Sequence, residues 1–184
     1  MEFLQSSHTY LNDYGIIIPS VTQLIEWKFG SGYDDVPQNV LQAKAEYGTR
    51  IHSYIEDVNN GIEPEIISVT EKATLRAYKM LAAKLPKVIK SEEAVCFDNR
   101  LAGTIDIVYE NGEIGDIKTY ASLDSEKLLK TKWQLSLYYL CKGINKNKAH
   151  LLHLPKTMKY SHIALDMFTF DECIALLEEY EACH

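Results

Sequence analysis

No Cys-x-x-Cys pair occurs in this chain, whose four cysteines, Cys96, Cys141, Cys173 and Cys183, are scattered. That spacing leaves no framework for zinc or an iron–sulfur cluster, and it suits reduced thiols in a cytoplasmic protein. No apolar run approaches the roughly 20 residues that cross a bilayer, and the first residues lack a basic stretch followed by an apolar one. The expectation is a cytoplasmic protein with no membrane partner. Proline and glycine are sparse, five and nine of 184 residues, and there is no repeat or low-complexity tract to act as a linker. The length suits a single domain with a real core.

Excess positive charge is missing too. The net charge of −7 at first opposes a nucleic-acid partner. Its distribution changes that reading. Residues 118–160 hold nine lysines against Asp124 and Glu126, a balance of +7 that leaves −14 for the rest. Such asymmetry marks either an anion-binding face or a solvated lysine-rich surface.

What the chain does have is charge inside otherwise apolar strands. Residues 103–118 read Gly-Thr-Ile-Asp-Ile-Val-Tyr-Glu-Asn-Gly-Glu-Ile-Gly-Asp-Ile-Lys. Two β-branched runs flank Asn111-Gly112, a strong hairpin signal. A strict two-residue loop would set Asp106 against Ile117 and mix charge with aliphatics on both faces. One more loop residue, as in a type I turn closed by a glycine bulge, sets Asp106 against Asp116, Thr104 against Lys118 and Val108 against Ile114. The other face then gathers Ile105, Ile107 and Ile117, and burial selects this register. Opposed side chains have Cβ atoms about 4.5–5.5 Å apart. Two carboxylates that close repel unless a proton or cation lies between them, which is how oxygen-lined Mg²⁺ or Mn²⁺ sites are built.

Elsewhere the pattern predicts a short helix capped by Ser20, a loop over residues 30–38, and a helix over 40–59 stopped by Asn60-Gly61. A further helix runs from the Ser68–Glu71 capping box to about Leu85. A strand over 93–98 leads into the hairpin. A helix then runs from Asp124 or Ser125 through Lys142 to Gly143. Two strands follow, at 149–154 and 162–168, and Asp171 caps a closing helix. His52 and Glu56 share one helix face, a spacing that serves a surface contact as readily as a ligand pair. The expected fold is α/β (α+β), a mixed central sheet flanked by helices. One domain spans 1–184: a mainly helical part over 1–90 that carries His52, a sheet core with the hairpin and its helix over 91–170, and the closing helix over 171–184.

In order, Gly48-Thr49-x-x-His52-x-x-x-Glu56, Gly103-Thr104-Ile105-Asp106, Asp116-Ile117-Lys118-Thr119 and Gln134-x-x-x-Tyr138 resemble the motifs of PD-(D/E)XK nucleases. The RecB-like branch, which includes phage exonucleases and mitochondrial genome maintenance exonucleases, is the nearest in flavour. The resemblance covers residues 19–155. It implies a restriction-endonuclease-like core and a Mg²⁺- or Mn²⁺-dependent DNA exonuclease of recombination, repair or phage DNA processing, leaving 5′-phosphates. In that reading Asp106, Asp116, the Ile117 carbonyl and His52 hold the metal. Lys118 positions and helps deprotonate the attacking water, and Gln134 and Tyr138 support the site. Glu56, or alternatively Glu93, supplies the family's further acid. Lys127, Lys130, Lys132 and Arg50 hold DNA phosphates, while Trp133 and Tyr120 read as core aromatics before base-stacking ones. The third-motif acid is Asp where Glu is commoner. The cysteine spacing departs from the iron–sulfur relatives, so no such cluster is expected. A silent DNA-end-binding or inhibitory module of the same fold is the alternative, and a structural ion pair of Lys118 with two aspartates ranks last. With no helicase or annealing domain in this length, a recombination partner protein would supply such activity. Homo-oligomeric or monomeric assembly, exo or endo action, polarity and strand preference stay open.

Overall fold

The computed structural model describes residues 2–4 (backbone), 9–31 and 37–184. Most of the loop expected at 30–38 lies outside the described residues. Elements follow in the order β1 (Glu2–Leu4), β2 (Thr9–Leu11), β3 (Ile17–Ile18), α1 (Val21–Phe29), α2 (Gln38–Asn59), α3 (Val69–Ala82), β4 (Val88–Phe97) and β5 (Leu101–Tyr109). Then come β6 (Ile114–Lys118), α4 (Ser125–Lys142), β7 (Lys148–His153), β8 (Ser161–Asp166) and α5 (Phe170–Ala182). The fold is α+β: β4-β5-β6-β7-β8 form a mixed sheet, antiparallel except where β6 runs parallel to β7 across the α4 connection.

Local chemistry explains most boundaries. The side chains of Ser20, Ser68, Asp124 and Thr169 each accept the backbone N–H three residues on, so α1, α3, α4 and α5 start where their first free donors are met. The last helix starts at Thr169, with Glu172 closing the box, and Asp171 sits inside its first turn, where an acid suits the helix dipole. Gly143 stops α4 in the left-handed region, φ +67. β1, β2 and β3 form a small second sheet that no period announced. It reaches the main sheet through Ala102 N–H donating to the Pro19 carbonyl at 3.1 Å, and Tyr10 hydroxyl meets Thr104 Oγ1 at 2.9 Å.

Apolar residues cover both faces of the main sheet. Leu24, Leu135, Leu137 and Leu177 from α1, α4 and α5 pack with Ile105, Val108 and Ile114. Tyr47, Ile51 and Tyr78 from α2 and α3 pack with Ile107, Ile117 and Leu152. The hairpin has the three-residue loop expected from burial: Val108 faces Ile114, Ile107 faces Gly115, and Gly112 takes φ +79. One expectation fails. Ile105 does not share a face with Ile107 and Ile117 but joins Val108 beneath α1 and α4. Strand alternation breaks between them, at Asp106.

Candidate metal centre and active site

The break at Asp106 opens the sheet on both sides of β5. Toward β6, the ladder ends at Ile107–Gly115. There the Asp106 carboxylate takes over from the backbone, its Oδ2 accepting the Ile117 N–H at 2.7 Å. Toward β4, Ser91 faces Ile107 and Glu93 faces Ile105, so the register sets Glu92 opposite Asp106. Into this opening α2 inserts His52. Its Nδ1 lies 3.6 Å from Asp106 Oδ1 and 3.8 Å from Glu92 Oε1, and its Nε2 donates to the Ile117 carbonyl at 3.1 Å.

On the adjoining side Lys118 Nζ donates to Asp116 Oδ1 at 2.8 Å and to Gln134 Oε1 at 3.0 Å. Gln134 Nε2 in turn donates to the Tyr138 hydroxyl at 2.9 Å. The i, i+4 spacing on α4 thus builds a relay that fixes the lysine. Tyr138 reaches the sheet because residue 103 has no side chain: a Cβ there would lie 2.5 Å from Tyr138 Cε1.

The electrostatics are those of crowded charge away from water. Burial raises the Asp106 carboxyl above its ordinary range, with His52 and Lys118 opposing. Burial likewise pushes Asp116 up to about 6 against the pull of Lys118. Burial alone would lower His52, but Asp106 and Glu92 outweigh it and hold the imidazole at about 9. Lys118 is also raised: desolvation opposes, but Asp116, Tyr120 and Asp106 together outweigh it. Asp116 is 1% exposed, and its Oδ2 has no hydrogen-bond partner among the described residues. A buried carboxylate oxygen in that state is costly unless a proton or cation joins it. One imidazole nitrogen from His52 and the carboxylates of Glu92 and Asp106, all within 4.8 Å of one another, form a donor set suited to Mg²⁺ or Mn²⁺; Asp116 lies outside that group, near enough that its charge and that of Asp106 act on each other.

The structure brings together His52, Asp106, Asp116, Ile117, Lys118, Gln134 and Tyr138. It differs over the further acid. Among the described residues, the group whose ligand atoms all lie within 4.8 Å of one another is His52, Glu92 and Asp106. Glu56 is outside it, near enough that Glu92's charge adds to the burial that raises its carboxyl. Glu93 faces the other way, on Lys142 and Lys90. Glu92 is not apparent in the sequence because the alternation predicts a strand only from residue 93, whereas β4 begins five residues earlier, at Val88. Pairing counted back from the Asp98-Asn99 turn would have put Glu92 opposite Asp106.

The basic residues divide. Lys127 and Lys130 line a cleft of about 340 Å³ with Lys118, Gln134 and Tyr120, between α1 and the first half of α4. Both are engaged there, Lys127 with Asp124, and Lys130 with Glu126 at 2.7 Å and the Gly30 carbonyl at 3.0 Å. Arg50 is turned away, its Nε donating to buried Glu71 at 2.9 Å, because two residues along a helix from His52 is nearly the opposite face. Lys132 lies over the Phe168 ring at 3.9 Å, and Trp133 stacks on that ring with centroids 3.9 Å apart, as a core aromatic does. No helix among the described residues is long and apolar enough to cross a membrane.

No protein-family model matches this chain, and no curated protein does. Among solved structures it is similar to the crystal structure of SSO0001, with a TM-score of 0.53 at 15% identity, over 91% of this chain and 76% of that one. At that identity the likeness shows the fold alone, an α+β core.

Proposed function

We propose that this chain is a divalent-metal-dependent DNA nuclease with a restriction-endonuclease-like core, acting from DNA ends and leaving 5′-phosphates. The observation that carries the reading is the buried Asp116 carboxylate with an unpartnered oxygen beside Lys118. Asp106, Glu92 and His52 gather on the same opening of the sheet. The agreement of this constellation with the four ordered motifs supports the same reading.

His52, Asp106, Asp116 and the Ile117 carbonyl would hold the ion. When bound, Mg²⁺ or Mn²⁺ supplies Lewis-acid polarisation of a phosphoryl oxygen and makes water a better nucleophile at neutral pH. The protein's own groups do the rest. Asp116 holds Lys118 protonated, so its ammonium donates: it orients the attacking water and stabilises charge that builds on the phosphoryl oxygens. That differs from a lysine that takes the water's proton. Gln134 and Tyr138 keep the ammonium in place. Lys127 and Lys130 line the route by which a strand would approach, exchanging their acidic partners for phosphates.

The test is digestion of end-labelled linear DNA, single- and double-stranded, against closed circles, with Mg²⁺ or Mn²⁺. Asp116→Ala and Lys118→Ala should each abolish cleavage. Cleavage left intact in both would refute the site. DNA binding without cleavage under every condition would favour an end-binding module.

A further inference from the structure

Glu92 has a left-handed backbone, φ +50, in the middle of the ten-residue strand β4. Side chains other than glycine rarely take that conformation, so something must hold it. A hydrogen-bonded chain does so from the residue before. The fully buried Tyr78 hydroxyl donates to Asn59 Oδ1 at 2.6 Å, and Asn59 Nδ2 donates to Ser91 Oγ at 2.8 Å. Three elements, α3, α2 and β4, are thereby tied one residue before the turn. On the other side Glu93 is anchored by Lys90 and Lys142. Between these anchors only Glu92 points to His52.

A regular strand would set Glu92 squarely against Asp106, two like charges with nothing between them. Here the two carboxylates instead flank the imidazole, and all three groups offer ligand atoms within 4.8 Å of one another. We propose that Glu92 ligates the divalent ion on the His52–Asp106 side of the site, and that Tyr78, Asn59 and Ser91 are positioning residues that hold the left-handed turn which aims it. The inference rests on reading the cluster as a metal centre. One nitrogen with two carboxylates favours Mn²⁺ over Mg²⁺.

The experiment is calorimetric titration of the metal-free full chain with MnCl₂, alongside thermal denaturation of the metal-free forms. Glu92→Gln should lower Mn²⁺ affinity at least tenfold. Glu92→Gly should lower it as much while raising the metal-free melting temperature by about 2–4 °C, since glycine accepts the turn freely. Asn59→Ala, or Ser91→Ala if that variant folds poorly, should cost roughly 10–100-fold in affinity, as removal of a group that orients a ligand does. Either should cost nothing further once Glu92 is glutamine. A purely structural role for Asn59 would not vanish in that background. Wild-type affinity in Glu92→Gln, or an equal loss from Asn59→Ala in both backgrounds, would overturn the proposal while leaving the nuclease reading standing. The expected losses in a chain that cuts no DNA would uphold it and overturn the nuclease. A wild type that binds no Mn²⁺ would end both.

Discussion

Gly103→Ala is a small change with a large expected effect. The added Cβ would lie 2.5 Å from Cε1 and 3.2 Å from Cδ1 of Tyr138, and 3.4 Å from Val21 Cγ2. Unstrained carbon contacts lie near 3.5–4.0 Å, so the ring must withdraw by about 1 Å. It has little room, because Tyr138 is 5% exposed and packed in the α4 face of the core. Overpacking of this kind costs about 1–3 kcal/mol. At roughly 2–4 °C per kcal/mol for a chain of this length, the melting temperature should fall by several degrees. The ring's hydroxyl holds Gln134, and Gln134 holds Lys118, so the displacement travels to the ammonium. A misplacement of about 1 Å at reacting groups costs on the order of 100-fold in rate. Thermal denaturation and initial rates of linear-DNA digestion with Mn²⁺ measure the two effects separately. Tyr138→Leu in the Gly103→Ala background should recover stability, since the clashing edge is gone, but not rate, since Gln134 has lost its acceptor. Wild-type stability and rate in Gly103→Ala would refute the reasoning.

Further expectations concern the periphery of the site. Arg50→Ala should leave DNA cleavage and its salt dependence unchanged while lowering stability in denaturant melts, because Arg50 serves Glu71 rather than phosphate. Glu71 is held below its ordinary value: burial opposes, but Arg50 and Ser68 outweigh it. Its folded pKa is depressed, so its contribution is present above about pH 4.5 and is lost as pH falls through the folded value. Chemical denaturation from pH 7 to 3 should show that loss in wild type and not in Glu71→Gln. Lys127→Ala should weaken DNA binding and reduce the slope of log affinity against log salt by about 1 if that lysine meets a phosphate, and Lys132→Ala, over Phe168, should not alter the slope. Gly112→Ala should destabilise by about 1–2 kcal/mol, since the hairpin needs φ +79 there. An unaltered denaturation midpoint would count against the bulged turn.

The hairpin was legible because its constraints are local: Asn111-Gly112 names the turn, and burial of Val108 with Ile114 excludes the other register. The caps at Ser20, Ser68 and Asp124 were legible for the same reason, one side chain meeting one backbone donor. What the sequence hid was cooperative. That Asp106 would replace a backbone acceptor, and so throw Ile105 and Ile107 to opposite faces, depends on a hydrogen bond formed only when β5 and β6 meet. Strict alternation cannot express it. The same blindness hid Glu92. Glu93 lies in phase with Val95 and Phe97, and only the assembled β4–β5 register, with a left-handed residue inside it, brings its neighbour to His52. β1 to β3 are too short for any period to emerge. The basic residues misled differently. Charge counts along a segment cannot tell Lys127, on the cleft, from Lys132, over an aromatic ring.

A stabilising role alone is a poor account of these charges. Buried ion pairs tend to break even at best against well-packed apolar residues, and they do so only when every lone pair and proton is satisfied. Here three carboxylates, Glu92, Asp106 and Asp116, meet one ammonium and one imidazole, and Asp116 Oδ2 is left without a partner among the described residues. The fold yields ladder pairing on both sides of Asp106 and accepts a left-handed residue in β4 to assemble them. Each of these features would cost stability in a scaffold that merely needed to stay folded. They become intelligible together if a divalent cation occupies the His52–Glu92–Asp106 cluster: it would neutralise the excess negative charge beside Asp116, and its binding would add stability. If the cluster binds the ion, stability should rise with Mn²⁺ through the same geometry that would perform the chemistry.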